Sequence, residues 1–165
     1  MKEEVREVAA TDATDFEAFF ERHYPRLSKG LYLLTGSHAA AEELAQETMA
    51  RVYERWARVR TMASPEGYAT TVALNLWRRN RRHREPSTEP STSVDPASVT
   101  ESREDLRRTF RLLSPEQREA AVVVWWLGYS PAEAGRLLGI DPASVRGRLH
   151  RARTTIRKQP EGTDG

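Results

Sequence analysis

A chain of 165 residues can form one domain or two small ones, each with only a modest core. It contains no cysteine, which excludes disulfides, thiolate metal sites and thiol nucleophiles. The opening residues, MKEEVREVAA, lack the apolar core of a signal peptide, and no run approaches the ~20 apolar residues of a membrane span. We therefore expect a cytoplasmic protein without membrane insertion.

The formal net charge of +2 hides an uneven distribution. Five arginines lie within residues 78–84, and a second basic block covers residues 146–158, where no acid occurs. Two separated basic blocks indicate two contacts with nucleic acid.

The first half of the chain has helical periodicity. Residues 1–14 mix charges with alanine and are predicted to form a flexible N-terminus. Apolar residues then recur at helical spacing up to Leu34, with a kink or break expected at Pro25. A second helix is predicted over about 39–59, a loop over 57–63, and a third helix from the Ser64–Pro65–Glu66 start into the arginines. Residues 15–84 thus form a first helical domain.

Two features of these helices allow alternative interpretations. One face of the second helix carries Glu42, Glu43, Gln46, Glu47 and Glu54, which fits either a solvated surface or a docking surface for a basic partner helix. Trp77 either packs against a neighbouring helix, the more common case, or offers a platform for an unpaired base.

Residues 85–102 contain no aromatic side chain and several acids and prolines, so we expect a flexible acidic linker that separates two domains. The second domain, residues 103–159, is predicted to contain four helices, and residues 160–165 a flexible tail. Trp125 and Trp126 are adjacent and cannot both face its core.

The second domain ends in a helix-turn-helix pattern. Ser130, Pro131 and Glu133 form a capping box, Gly139 ends that helix, and an Asp–Pro pair starts the next at once. On a helical wheel Val145, Leu149, Ala152 and Ile156 form the buried side of the last helix. The outward side is Ser144, Arg146, Gly147, His150, Arg151, Thr154 and Arg157, a face suited to a DNA major groove.

The sequence contains no pattern typical of catalysis. The four histidines are scattered, no Gly-rich phosphate loop occurs, and neighbouring acids such as Glu42 and Glu43 do not converge as an acid–base pair would. We expect no enzyme activity, metal or cofactor.

The chain resembles the extracytoplasmic function group of bacterial RNA polymerase sigma factors. DFEAFFERHYPRLSKGLYLLTGS and AEELAQETMARVYERWARV look like their region 2, and PEGYATTVALNLWRRNRRHR resembles the promoter-melting segment. The stretch from Leu106 to Lys158 looks like region 4. The resemblance implies an all-α protein of two small helical domains, the second ending in a helix-turn-helix.

The resemblance also implies roles for residues. Glu43, Leu44, Gln46 and Glu47 match the segment that docks on the clamp helices of the polymerase's largest subunit. Asn75, with the loop at 57–63, matches the pocket for a base flipped from the −10 element, and Arg78, Arg79, Asn80, Arg81 and Arg82 match the melting segment. The positions that read the −35 element match Arg146, Gly147, His150 and Arg151, which lie on the outward side of the last helix.

The implied partners are core RNA polymerase, including the flap of its second-largest subunit, promoter DNA, and an anti-sigma protein. Two departures from the family pattern are Ala40, where an aspartate often opens the docking segment, and Gly147, which supplies no side chain to DNA. Two alternatives stay open: a stand-alone helix-turn-helix regulator, and a degenerate sigma factor that acts only by sequestering a protein.

Overall fold

The computed structural model describes residues 1–83 and 101–159, without the side chains of residues 2, 5, 6, 8, 9 and 101. All regular secondary structure within these ranges is helical, as predicted. The first half contains α1 (Lys2–Thr35), α2 (His38–Glu54), α3 (Trp56–Val59) and α4 (Pro65–His83). None of the described helices is long and apolar enough to cross a membrane.

Helix α1 is longer than predicted. It begins at Lys2 rather than Asp15, and it continues through Pro25, so of the two predicted alternatives, a kink or a break, the break is wrong. Proline removes one i→i−4 hydrogen bond, but Leu27 and Leu31 on the following turns are buried in the core. Packing of this long face against α2 sustains the helix across the missing bond.

The segment after α2 also differs from its prediction. Helix α2 ends at Glu54, and the short helix α3 includes part of the loop expected at 57–63. Val59 is fully buried, and Arg60 forms ion pairs with Asp12 and Asp15 of α1. The loop is therefore shorter than predicted and is fastened to the N-terminal turns of α1.

The core of the first half lies between α1, α2 and α4. Leu31, Val52 and Val59 are among its largest fully buried side chains. Trp77 is 4% exposed, which confirms that it packs against neighbouring helices. Each large apolar side chain buried in this way contributes about 1.5–3 kcal/mol to folding.

The second half contains α5 (Glu101–Arg111), α6 (Pro115–Ala121), α7 (Pro131–Leu138) and α8 (Pro142–Arg157). A π-helical turn, Val122–Trp126, continues α6 directly. The four predicted helices are confirmed, with α5 starting two residues earlier than expected. Most of the predicted linker and the predicted tail lie outside the described residues.

Local side-chain hydrogen bonds fix the helix-turn-helix. The Ser130 hydroxyl accepts from the Glu133 N–H at 3.1 Å, and the Glu133 carboxylate accepts from the Ser130 N–H at 2.7 Å. Gly139 ends α7 in the left-handed region, at a φ of 72°. A Cβ on Gly135 of α7 would lie 2.6 Å from the Ile140 carbonyl oxygen. The chain between α7 and α8 approaches α7 so closely that position 135 also requires glycine.

The two halves contact each other, an arrangement that the sequence did not predict. Arg26 of α1 donates to the Trp126 carbonyl at 2.8 Å, and the Trp126 indole N–H donates back to the Arg26 carbonyl at 3.0 Å. Arg118 of α6 donates to the carbonyls of Leu34, Phe110 and Leu113, each at 3.0 Å. Its burial lowers the pKa of Arg118.

Candidate nucleic-acid and partner interfaces

The helix-turn-helix presents one face of α8 to solvent. Val145, Leu149 and Ala152 are buried, as the wheel predicts, and Ile156 is half-buried. On the other side, Gly147 and Thr154 are half-buried, and the remaining predicted residues are exposed: Ser144, Arg146, His150, Arg151 and Arg157.

Several polar groups on α8 already have partners within the chain. The Asp141 carboxylate accepts from the Ser144 hydroxyl at 2.7 Å and from its N–H at 2.9 Å, which lowers the pKa of Asp141. The Thr154 hydroxyl donates to the His150 carbonyl at 3.1 Å. In contrast, no described carboxylate lies within ion-pair distance of Arg146, Arg151 or Arg157. These three guanidinium groups are available to an external anion.

Gly147 has no steric role in packing the chain. A Cβ at this position would lie 3.4 Å from a terminal nitrogen of the flexible Arg151 side chain. Alanine would therefore fit. The glycine is easier to explain by something outside the chain that approaches α8 closely.

We expect Gly147→Ala to stabilise the protein by about 1 kcal/mol, since glycine inside a helix is less favourable than alanine by about that amount. The same change should weaken promoter binding if DNA approaches this position. Thermal unfolding and promoter affinity of the same variant measure the two effects. A stabilised variant with unchanged promoter affinity would contradict the close approach.

The arginine block at the end of α4 is divided in two by its surroundings. Arg79, Asn80, Arg81 and Arg82 are exposed, and the Arg81 guanidinium lies 5.4 Å from the centre of the Trp77 ring. Arg78 instead turns toward the second half of the protein. It forms a short ion pair with Glu119 and approaches the Leu138 carbonyl oxygen at 3.5 Å.

A cleft of about 1120 Å³ lies between the two halves and is rich in arginine. One wall is formed by side chains of α4: Asn75, Arg78, Arg79, Arg81 and Arg82. The other wall includes Arg148 of α8. Segment 57–63 does not line this cleft, so a base pocket formed by that segment with Asn75 stays a prediction.

The acidic surface, defined here as Glu42, Glu43, Gln46 and Glu47, lies on the solvent side of α2. Glu47 forms an ion pair with Arg51 at 2.8 Å, and the Gln46 amide donates to Glu42 at 3.4 Å. Leu44, predicted to dock with them, is only 3% exposed and belongs to the core. The acidic surface therefore consists of polar side chains alone.

Glu119 is a site residue that the sequence reasoning missed. It is 5% exposed, and its Oε1 forms an ion pair with the Arg78 guanidinium. A guanidinium nitrogen of Arg148 lies 3.9 Å from its Oε2. One signal was present: Glu119 lies three and four residues before Val122 and Val123, on the same buried face of the helix. Among the described residues, no group of three or more acids and histidines could hold a metal ion.

Two family models match separate parts of the chain. Sigma-70 region 2 matches residues 19–86, and Sigma-70 region 4 matches residues 103–156. The first covers α4 and the acidic surface, and the second covers the helix-turn-helix.

Two curated relatives match along most of their length. The RNA polymerase sigma-E factor of Streptomyces avermitilis is 28% identical over 95% of this chain and 91% of its own. The RNA polymerase sigma factor CarQ of Myxococcus xanthus is 32% identical, with 87% of each chain covered.

The fold is similar to that of solved sigma-factor structures. The sigma factor RpoE of Bartonella quintana, solved with the anti-sigma factor NepR, has a TM-score of 0.76 at 22% identity and covers 87% of this chain and 95% of its own. CnrH, solved with the cytosolic domain of CnrY, has a TM-score of 0.66 and covers 92% and 94%. The chain belongs to the extracytoplasmic function group of bacterial RNA polymerase sigma factors, the proteins that direct transcription initiation.

Proposed function

We propose that this sigma factor binds core RNA polymerase in the cytoplasm and directs it to promoters by contacting two DNA elements. The observation that carries the proposal is the presence of two exposed basic surfaces, one in each family match: the outward side of α8 and the end of α4. The acidic surface of α2 differs from both in charge, which suits it to a protein partner with basic helices.

The proposed roles follow the chemistry of the exposed side chains. Arg146, His150 and Arg151 of α8 would read the −35 element in duplex form, because arginine pairs with acceptors on guanine in the major groove. Ser144, Gly147, Thr154 and Arg157 would flank this contact. Exposed side chains of α4 would hold the −10 element while its strands part: Asn75, Arg79, Asn80, Arg81 and Arg82. Arg78 would join them once its ion pair with Glu119 is broken.

Sigma factors are in general DNA-binding initiation factors without enzymatic activity, and promoter opening here would be driven by binding alone. Flipping and unstacking a base costs a few kcal/mol. Phosphate contacts by the exposed arginines of α4 would offset this cost, and they would weaken as salt concentration rises.

The contact between the halves is proposed to belong to the polymerase-free state. The −35 and −10 elements are named for their positions on the DNA, which are about 25 base pairs apart. At a rise of about 3.4 Å per base pair, this separation is about 85 Å. Arg78 in the melting segment, however, lies 3.5 Å from Leu138 of α7. Because one chain cannot span both elements in this closed arrangement, the two halves must separate in the holoenzyme.

An anti-sigma protein is included among the proposed partners. RpoE of B. quintana, which has a similar fold, was solved in complex with one. The flap of the polymerase's second-largest subunit is the proposed partner of the second domain.

The test is reconstitution of the purified protein with core RNA polymerase. We expect tight polymerase binding, little specific binding of the isolated protein to duplex DNA, and transcripts that start at a restricted set of promoters. Specific duplex binding without polymerase binding would indicate a stand-alone regulator instead. Polymerase binding without transcripts from any genomic promoter would indicate a sequestering protein.

A further inference from the structure

Trp125 is an exposed aromatic side chain that the packing of the protein does not explain. It is 37% exposed, while its neighbour Trp126 contacts α1. The guanidinium carbon of Arg153, on α8, lies 5.3 Å from the centre of the Trp125 ring. Arg153 is itself exposed, so the pair lies at the surface beside the outward side of α8.

Both tryptophans lie in the π-helical turn, Val122–Trp126. The Leu127 N–H donates to the carbonyl of Val122, five residues before it, at 2.9 Å. In an α-helix the Val122 carbonyl would instead accept from the Trp126 N–H, four residues after it. Neighbouring residues of a helix point in different directions, so Trp126 contacts Arg26 of α1 while Trp125 contacts Arg153 of α8. Such turns occur frequently at functional sites.

Arg153 lies on the same side of α8 as two proposed DNA contacts. On a wheel of about 100° per residue, it is about 20° from Arg146 and about 40° from Arg157. Arg148 points away from this group, toward Glu119 in the cleft. Arg153 therefore lies at the border of the outward side. With α8 in a DNA groove, this border would face the walls of the groove rather than the bases at its floor.

A guanidinium held over a ring keeps its hydrogen-bond donors free. The cation–π contact uses the face of the aromatic ring and consumes no N–H group of the arginine. The ring also restricts a long side chain that would otherwise lose rotamer freedom on binding. An arginine prepared in this way suits a phosphate, whose contacts fix the position of a protein on the duplex without reading its sequence.

We propose that Arg153 binds a phosphate of the DNA backbone beside the −35 element and that Trp125 is its positioning residue. This inference rests on the proposed reading of that element by α8. It adds two residues to the interface, one on α8 and one on the π-helical turn, and predicts that they act as a unit.

The experiment measures the affinity of the reconstituted holoenzyme for promoter DNA over a range of salt concentrations. We expect Arg153→Ala to weaken binding roughly tenfold, equally on a cognate and a scrambled −35 element, and to reduce the slope of log K against log salt by about 1. Trp125→Ala should weaken binding roughly two- to fivefold with the slope nearly kept, and Trp125→Phe should restore most of the loss.

The double variant separates positioning from a structural role. If Trp125 acts through Arg153, then Trp125→Ala adds no further loss in the Arg153→Ala background. Arg108→Ala, which removes an exposed arginine of α5, is the matched control and should leave affinity and slope unchanged.

The outcomes distinguish this inference from the function on which it rests. Equal affinity of the unsubstituted holoenzyme for cognate and scrambled −35 elements would overturn the proposed reading by α8. A clear preference for the cognate element, with an unchanged salt slope in Arg153→Ala, would overturn the phosphate contact alone. An undiminished effect of Trp125→Ala in the double variant would overturn the positioning role.

Discussion

Replacing Glu43 and Glu47 together by lysine is expected to abolish binding to core RNA polymerase. Both carboxylates are exposed on the acidic surface and lie one helical turn apart on α2. The double change turns a local charge of −2 into +2, and like charges placed against each other across an interface cost several kcal/mol. Equilibrium binding to purified core polymerase measures the effect.

The fold should survive this charge reversal, because exposed substitutions usually change stability by less than about 0.5 kcal/mol. Loss of the Glu47–Arg51 ion pair adds a few tenths of a kcal/mol at most. The matched control is the same reversal at Glu17 and Glu21, which are exposed on α1 at the same spacing. Equal loss in both variants would point to net charge, and unchanged affinity in the test variant would refute the docking assignment.

The elements that the sequence predicted well are those that depend on neighbouring residues. The capping box predicted at Ser130 forms, because its partner Glu133 is three residues away and needs no other part of the chain. The structure has a second capping box at Ser114, formed with Gln117 at the same spacing. The buried side of α8 follows in the same way from the spacing of Val145, Leu149 and Ala152.

The differences arise where distant parts of the chain decide the outcome. The helix continues through Pro25 because the turns on either side of it are packed on other helices. Local helix propensity does not include this tertiary packing. Leu44 is a different case, because only the family resemblance matched it to a docking segment, whereas the local spacing of α2 places it on the buried side of the helix, where it is 3% exposed. The acidic surface itself was predicted correctly as a face of the helix.

The contact between the halves could not be predicted because its partners are far apart in sequence. Arg78 and Glu119 are 41 residues apart, and Arg26 and Trp126 are 100 apart. Arg78 was predicted as one of several equivalent arginines, and only the structure distinguishes it from Arg79, Arg81 and Arg82. Its release from Glu119 links the proposed melting role to separation of the halves.

Gly30→Leu is expected to separate the two halves and to tighten binding to core polymerase. A Cβ on Gly30 would lie 3.3 Å from both the Trp126 ring and a Val122 methyl group, so a leucine side chain would have to enter occupied space. Overpacking of this kind costs about 1–3 kcal/mol. The same change improves the helix propensity of α1 by up to about 1 kcal/mol, so the first half should remain folded.

If closure competes with polymerase binding, the apparent dissociation constant falls in proportion to the open fraction that is gained. A relief of about 1–3 kcal/mol corresponds to roughly 5- to 150-fold tighter binding, until the open form predominates. The radius of gyration from small-angle X-ray scattering should rise in parallel. Gly30→Ala is the graded control, because its single methyl group needs a shift of only a few tenths of an ångström. A Gly30→Leu protein that opens without binding polymerase more tightly would mean that closure does not restrain this sigma factor.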